Sequence, residues 1–284
     1  MRNLNEIKQR DKDIEKRMRK HGYAEQMHHY TSIPALYGIL ENKELWFGNT
    51  ATMNDKLEVV GFLNSLEKEL QQELSVSKHQ MCKDFFEHAR GRLLAEYPFA
   101  LCFSKLSDNA AQWERYADDA KGVCIVFNTR KLIAALYTVD ILFCEVFYDS
   151  KVREHQIYKM LYEYFIDGNE TQTFLEDNVL SCGYIHKHKS FSTECEVRAV
   201  TLWDRIPKHS HICYECIGDQ VKKVLKVDLE QMCLERAVDF EDMIEKIVIG
   251  PRSKQSKYEL EEYIKSIGLQ KLATKVEMSE CPLR

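Results

Sequence analysis

The segment Ser192-Thr-Glu194-Cys-Glu196-Val-Arg198-Ala-Val200 is the stretch of this chain richest in side chains able to do chemistry. Read as a strand, it alternates its side chains, so that Glu194, Glu196 and Arg198 line one face while Cys195, Val197 and Ala199 line the other. A carboxylate can hold a ribose hydroxyl and stabilise a developing oxocarbenium ion. The same alternation also describes a half-buried strand whose outer face pairs with itself, so a functional reading needs partners from elsewhere.

Two further clusters supply candidates. His29-Tyr30-Thr31 lies on a short predicted strand just before Ser32-Ile33-Pro34, where serine caps a helix and proline occupies its first turn. Trp113 and Tyr116, three residues apart, share one face of a short helix. An imidazole can hydrogen-bond ribose hydroxyls, and an aromatic face can stack on a planar cationic ring. Each also has a structural reading: the aromatics as core, the imidazole as a satisfied histidine.

His209-x-His211-x-Cys213-x-x-Cys216 offers four zinc-ligand types. On a strand Cys213 and Cys216 point to opposite faces, so a loop and strand edge, with no metal, is expected there. The chain has neither GxxxxGK[ST] nor GxGxxG, and neither GxSxG nor HExxH, which removes the commonest nucleotide-binding and hydrolase signatures.

The elements that must position these groups are mixed. Helical periodicity is expected over residues 1–20, from Pro34, over about 58–74 and 78–96, at 110–117, over about 151–178, and at about 229–237 and 253–266. Strands are expected at 28–31, 45–47, 99–103 and 123–127, in the β-rich stretch 139–148, and at 194–202, 224–229, 246–249 and 272–278. This irregular alternation points to an α+β fold: a basic amphipathic helix over 1–22, then one domain over 23–284 with helical insertions at about 58–96 and 151–180. Only 5 prolines and 11 glycines in 284 residues leave little linker-like sequence.

Composition excludes some classes. With 44% apolar and 30% charged residues the chain reads as globular, and no stretch reaches the ~18 apolar residues of a membrane span. Forty basic against forty-five acidic residues give a net charge of −5, so nucleic-acid binding would need a local basic patch, such as residues 10–20 or His186-Lys-His-Lys189. The start lacks a signal-peptide core, and cysteines such as Cys102, Cys124 and Cys144 sit in apolar runs as core thiols; a cytoplasmic protein is expected.

The ordered series His29-Tyr-Thr-Ser32, Ile39-Leu-Glu-Asn42 with Leu45-Trp46, Asn54-Asp55 with Glu58, Cys102-Phe-Ser104, Trp113-x-x-Tyr116-Ala117, Gly122-Val-Cys-Ile-Val-Phe127, Lys189, Glu194-x-Glu196-x-Arg198 and Ile247-Val-Ile-Gly-Pro251 resembles a bacterial domain-of-unknown-function family over about residues 28–251. That family is distantly similar to the ADP-ribosyltransferases, especially the DarT-like toxins. The similarity implies split mixed β-sheets with NAD, as substrate, in the cleft between two small sheets. It implies that His29 and Thr31 contact NAD, that Glu196 holds the nicotinamide ribose and acts as the catalytic carboxylate, and that Glu194 orients or deprotonates an acceptor. Tyr116 would stack on the ligand, and Arg198 or Lys189 would meet the pyrophosphate.

An NAD-dependent ADP-ribosyltransferase or NAD glycohydrolase is therefore expected, with a toxin or phage-defence role implied and nucleic acid, protein or water as acceptor. A noncatalytic nucleotide-sensing module, or an interaction protein of a defence system, stays open beside it.

Overall fold

The chain begins with α1 (Leu4–His21), β1 (Gln26–Thr31), α2 (Ile33–Asn42), β2 (Glu44–Asn49), α3 (Leu57–Glu73), α4 (His79–Ala95) and β3 (Phe99–Ser104). There follow α5 (Ala110–Tyr116), β4 (Val123–Asn128), α6 (Thr129–Ala135), β5 (Leu142–Glu145), β6 (Phe147–Tyr148), α7 (Gln156–Asp167), α8 (Gln172–Gly183), β7 (His186–Lys187) and β8 (Glu196–Thr201). Last come β9 (Ser210–Ile217), β10 (Gln220–Asp228), α9 (Leu229–Arg236), α10 (Phe240–Met243), β11 (Ile244–Ile249), α11 (Lys257–Ser266), α12 (Gln270–Ala273) and β12 (Val276–Met278). The computed structural model describes residues 4–50, 57–95, 97–136, 140–148, 152–168, 171–201 and 205–283, apart from the side chains of residues 4–6, 21, 57, 58 and 93–95.

Local chemistry explains several boundaries. Ser32 caps α2, its Oγ accepting from Ala35 N at 3.2 Å, with proline in the first turn. His155 caps α7, and Gly168, at φ 70°, ends it in the left-handed conformation that glycine adopts without strain.

The fold is mixed α/β around one open mixed sheet. Its strand order is β12-β11-β4-β1-β3-β2-β10-β9, with β8 paired to β3 and β5 to β8. Neighbours in this sheet are antiparallel except β11 and β12. Where two separate small sheets were expected, one sheet runs continuously through β3 and forks there. Along one edge β3 pairs with β8 over its whole length, Phe99↔Thr201 to Ser104↔Glu196. Two strands share the other edge: β1 meets it at Ser104, and β2 at Phe99 and Ala100. Among the described residues, no strand pairs with Leu101–Phe103 on that edge.

One sheet face carries the main core, where Met27, Phe47, Leu101, Phe103, Ile125, Phe127, Val197 and Ile247 pack under helices including α2, α6, α9 and α11. The N-terminal helix docks on the same core through Ile14 and Met18. The two predicted helical insertions meet: α3, α4, α7 and α8 share a second core that includes Phe62, Phe86, Leu161, Phe165 and Leu175. A third, smaller cluster joins Tyr30, Trp113, Cys124 and Val248 on the opposite sheet face.

Some expectations need correction. The strand expected at 194–202 begins only at Glu196, because Lys189–Glu194 is a 3-10 helix that ends in a left-handed residue, Cys195 (φ 45°). The stretch 272–278 is a helical turn followed by the short β12. All ten cysteines are free thiols; Cys82, Cys124 and Cys233 are buried, but Cys102 and Cys144 are only partly so and Cys216 is exposed. Among the described residues, no helix is long and apolar enough to cross a membrane.

Candidate functional site

All six residues of β8 are buried, so its polar residues must find partners inside the protein. Antiparallel register sets Glu196 opposite Ser104 and Arg198 opposite Cys102, which puts these four side chains on the sheet face away from the main core. Glu194 belongs to no strand. The left-handed turn at Cys195 reverses the chain enough to bring Glu194 beside Glu196, and the Glu194 carbonyl is pinned by Ser104 Oγ (2.7 Å) and Gln112 Nε2 (3.3 Å).

Between the two carboxylates sits Lys187. Its Nζ lies 2.6 Å from Glu194 Oε2 and 3.0 Å from Glu196 Oε2. Arg198 donates from Nε to Glu196 Oε1 (2.7 Å), from Nη2 to Glu196 Oε2 (3.1 Å) and from Nη1 to the Tyr184 carbonyl (2.8 Å). Glu194 Oε1 accepts from Tyr116 Oη (2.8 Å) and Arg115 Nη1 (3.0 Å). Burial pushes the Glu196 carboxyl up, but Arg198 and Lys187 outweigh it and hold the group at about 2, so it is ionised at neutral pH.

This cluster lines a cavity of about 340 Å³, within the range of small-ligand sites. The remaining wall includes His28, His29, Tyr30, Gly48, Thr50, Val59, Cys102, Gln112, Tyr184 and, from the β9–β10 hairpin, Ile217 and Lys222. Three cations, Lys187, Arg198 and Lys222, thus face it against two carboxylates, which favours an anionic ligand. The Cys102 thiol is pushed far up by burial and then by Glu196, so it stays protonated.

The two histidines of β1 sit differently. His29, opposite Ile125, belongs to the core face; its ring lies 5.8 Å from that of Phe103, and it reaches the cavity wall at the fork. There its Nδ1 donates to the Cys102 carbonyl at 2.9 Å, on the edge of β3 where, among the described residues, no strand pairs with that stretch. His28, opposite both Ser104 and Val126, shares the face of Glu196, and its Nδ1 donates to the Ser104 carbonyl at 3.2 Å. Burial lowers both imidazoles from their ordinary value and keeps them neutral.

Of the residues singled out from sequence, Glu194, Glu196, Arg198, Tyr116 and His29 come together around this one cavity. Two do not. Thr31 is absent from the wall, its carbonyl packed against Gly122, and Lys189 is exposed at the start of the 3-10 helix. Trp113 parts from Tyr116: it is fully buried, edge-on to Tyr30 at 4.9 Å, with its Nε1 donating to Asp108 (2.7 Å). His209 pairs with Glu235 at 2.7 Å, and among the described residues no group of three or more potential ligands could hold a metal. Asn54, Asp55 and the side chain of Glu58 lie outside the described residues.

Sequence reasoning missed Lys187 and His28. Lys187 was visible only as one charge of a basic run, and its strand is two residues long, too short for alternation to register.

A family model described as a protein of unknown function (DUF2971) matches residues 112–199. The match takes in Gln112, Tyr116, Lys187, Glu194, Glu196 and Arg198, and leaves β1 and β3 outside. No curated protein and no solved structure matches the chain.

Proposed function

We propose that the cavity binds NAD and that Glu196 assists cleavage of its nicotinamide–ribose bond, as in an ADP-ribosyltransferase or NAD glycohydrolase. The observation that carries this reading is that Glu196, ionised and nearly buried, lines the same cavity as His29 although the two lie on distant strands. The fork along β3 supports an ADP-ribosyltransferase-like reading of the fold, since it opens the sheet where that similarity expects a cleft.

Breaking the bond develops positive charge on the ribose while neutral nicotinamide departs, and a preorganised carboxylate favours that charge by ~3–4 kcal/mol. Tyr116, about a third exposed at the cavity wall, presents a ring for stacking on the cationic pyridinium. Lys222 is the better-placed partner for pyrophosphate, because the guanidinium of Arg198 is committed to Glu196 and Tyr184. Arg198 and Lys187 hold the carboxylate in place and keep it charged.

One observation favours a second reading. Every oxygen of Glu194 and Glu196 already accepts a hydrogen bond from the protein, which suits a noncatalytic nucleotide-sensing module. Purified protein incubated with nicotinamide-labelled NAD separates the two. Nicotinamide release by the wild type, lost in Glu196→Gln while NAD still binds, supports cleavage. Binding without release supports sensing, and neither binding nor release removes both.

A further inference from the structure

Resting on the NAD-cleaving reading, we infer that His28 is the general base of this site, taking the proton of an oxygen nucleophile as it attacks the ribose. The register of four successive strand pairs sets Lys246, Val126, His28, Ser104 and Glu196 in one row across the sheet. Directly opposed residues share a face, so His28 and Glu196 flank Ser104 on the cavity side.

His28 is 4% exposed and contributes to the cavity wall, and its Nε2, buried beneath the surface of that wall, has no hydrogen-bond partner among the described residues. Because Nδ1 must carry the proton to donate to the Ser104 carbonyl, Nε2 presents a bare lone pair. An acceptor left unsatisfied in the interior costs roughly 1–3 kcal/mol, a cost that a hydroxyl-bearing ligand relieves.

The other candidates for a base are occupied. Both carboxylates accept from cations and Glu194 also from Tyr116, Glu196 is a very weak base, and Cys102 keeps its proton; His29, whose Nδ1 likewise donates to a carbonyl, differs in lying on the core face against Phe103. The charges that act on His28 are Lys246, which lowers its affinity for a proton, and Glu245, which raises it, both on β11. Across Ser104 it faces Glu196 with Lys187 and Arg198, and from α5 the neutral Tyr116.

The step balances as follows. The nucleophile's oxygen forms a bond to the anomeric carbon of the nicotinamide ribose as the carbon–nitrogen bond breaks, its electron pair leaving on neutral nicotinamide. The proton of the O–H passes to His28 Nε2 and is later released to solvent. The nucleophile is water in hydrolysis or an acceptor hydroxyl in transfer.

The test compares wild type, His28→Asn and His28→Gln for nicotinamide release from NAD between pH 5 and 9, with thermal unfolding to confirm that the variants fold. Asparagine retains a donor for the Ser104 carbonyl and supplies no base. Loss of a general base is expected to lower kcat by ~100-fold or more. The acidic limb of the wild-type pH profile should disappear in both variants, with KM for NAD within about threefold, since uniform binding is untouched. Oxygen-18 water distinguishes the nucleophiles: label in the ribose product identifies water, and its absence identifies an acceptor hydroxyl. Variants that release nicotinamide at the wild-type rate with the acidic limb intact, or that change only KM, overturn this assignment alone, as does transfer to a nitrogen acceptor. Absence of NAD cleavage by the folded wild type overturns it together with the reading it rests on.

Discussion

Lys187 Nζ lies 3.0 Å from the Glu196 carboxylate, and both residues are less than a tenth exposed. A lysine and a glutamate this deep are tolerated only because the pair is embedded in a larger network, with Glu194 on the far side of the ammonium and Arg198 on the far side of the carboxylate. The proposed binding site and the structural keystone are therefore the same residues, and any test of function has to be read beside a test of folding.

Lys187→Met removes the cation shared by two buried carboxylates. It is expected to destabilise the fold by ~3–5 kcal/mol, the range for breaking a buried ion pair on one side. The urea midpoint at neutral pH should fall accordingly. A midpoint equal to that of the wild type would show that the ammonium is dispensable to the cluster.

Glu196 also sets an acid limit on stability. Its carboxyl is lowered from the ordinary 4.5 to about 2 in the folded state, so the unfolded chain binds its proton first as pH falls. The contribution is fully present above about pH 4.5 and is lost progressively as pH falls towards 2. Urea unfolding followed across that window should show a steep loss in the wild type and a shallower one in Glu196→Gln, whose site no longer titrates. Parallel curves would place the acid sensitivity elsewhere.

The acidic segment of β8 was legible because alternation is a local property: Glu196 and Arg198 do share a face. Glu194 reaches the same cluster by another route, through the left-handed residue Cys195, which a strand reading cannot contain. The choice between His28 and His29 was out of reach for a different reason. β4, their neighbour, is buried on both faces, so its apolar run gives no signal of which face is the core and which the cavity. The fork at β3 and the pairing of α3 and α4 with α7 and α8 depend on contacts between segments far apart in sequence, which periodicity does not encode.

Gly122 is the tightest backbone approach near β1. A Cβ there would come 2.1 Å from the Thr31 carbonyl oxygen and 3.0 Å from that of Ala117, and both obstacles are backbone. The glycine follows Asp118, Asp119 and Ala120, all at positive φ, and its amide donates to Ala117 O at 2.8 Å while its carbonyl accepts from Gly250 N at 2.9 Å. Gly122→Ala should therefore shift the entry to β4 and cost at least the ~1–3 kcal/mol of ordinary overpacking. Denaturant unfolding measures it, and an unchanged midpoint would mean that the turn is free to move.

Tyr116 separates a hydrogen-bonding role from a stacking one. Its hydroxyl donates to Glu194 Oε1 at 2.8 Å, while its ring stands at the cavity wall and is 37% exposed. Tyr116→Phe deletes only the hydroxyl; with the Glu194 carboxylate still held by Arg115 and Lys187, the stability loss should be about 1 kcal/mol. If the ring stacks on the nicotinamide, Tyr116→Phe should bind NAD within about threefold of wild type, whereas Tyr116→Ala should bind ~10-fold or more weakly, in line with ~1–3 kcal/mol per stacked base. Calorimetric titration with NAD reads both. Equal losses in the two variants would assign the contribution of Tyr116 to its hydroxyl acting through Glu194, and equal affinity in all three proteins would take the ring out of the ligand site.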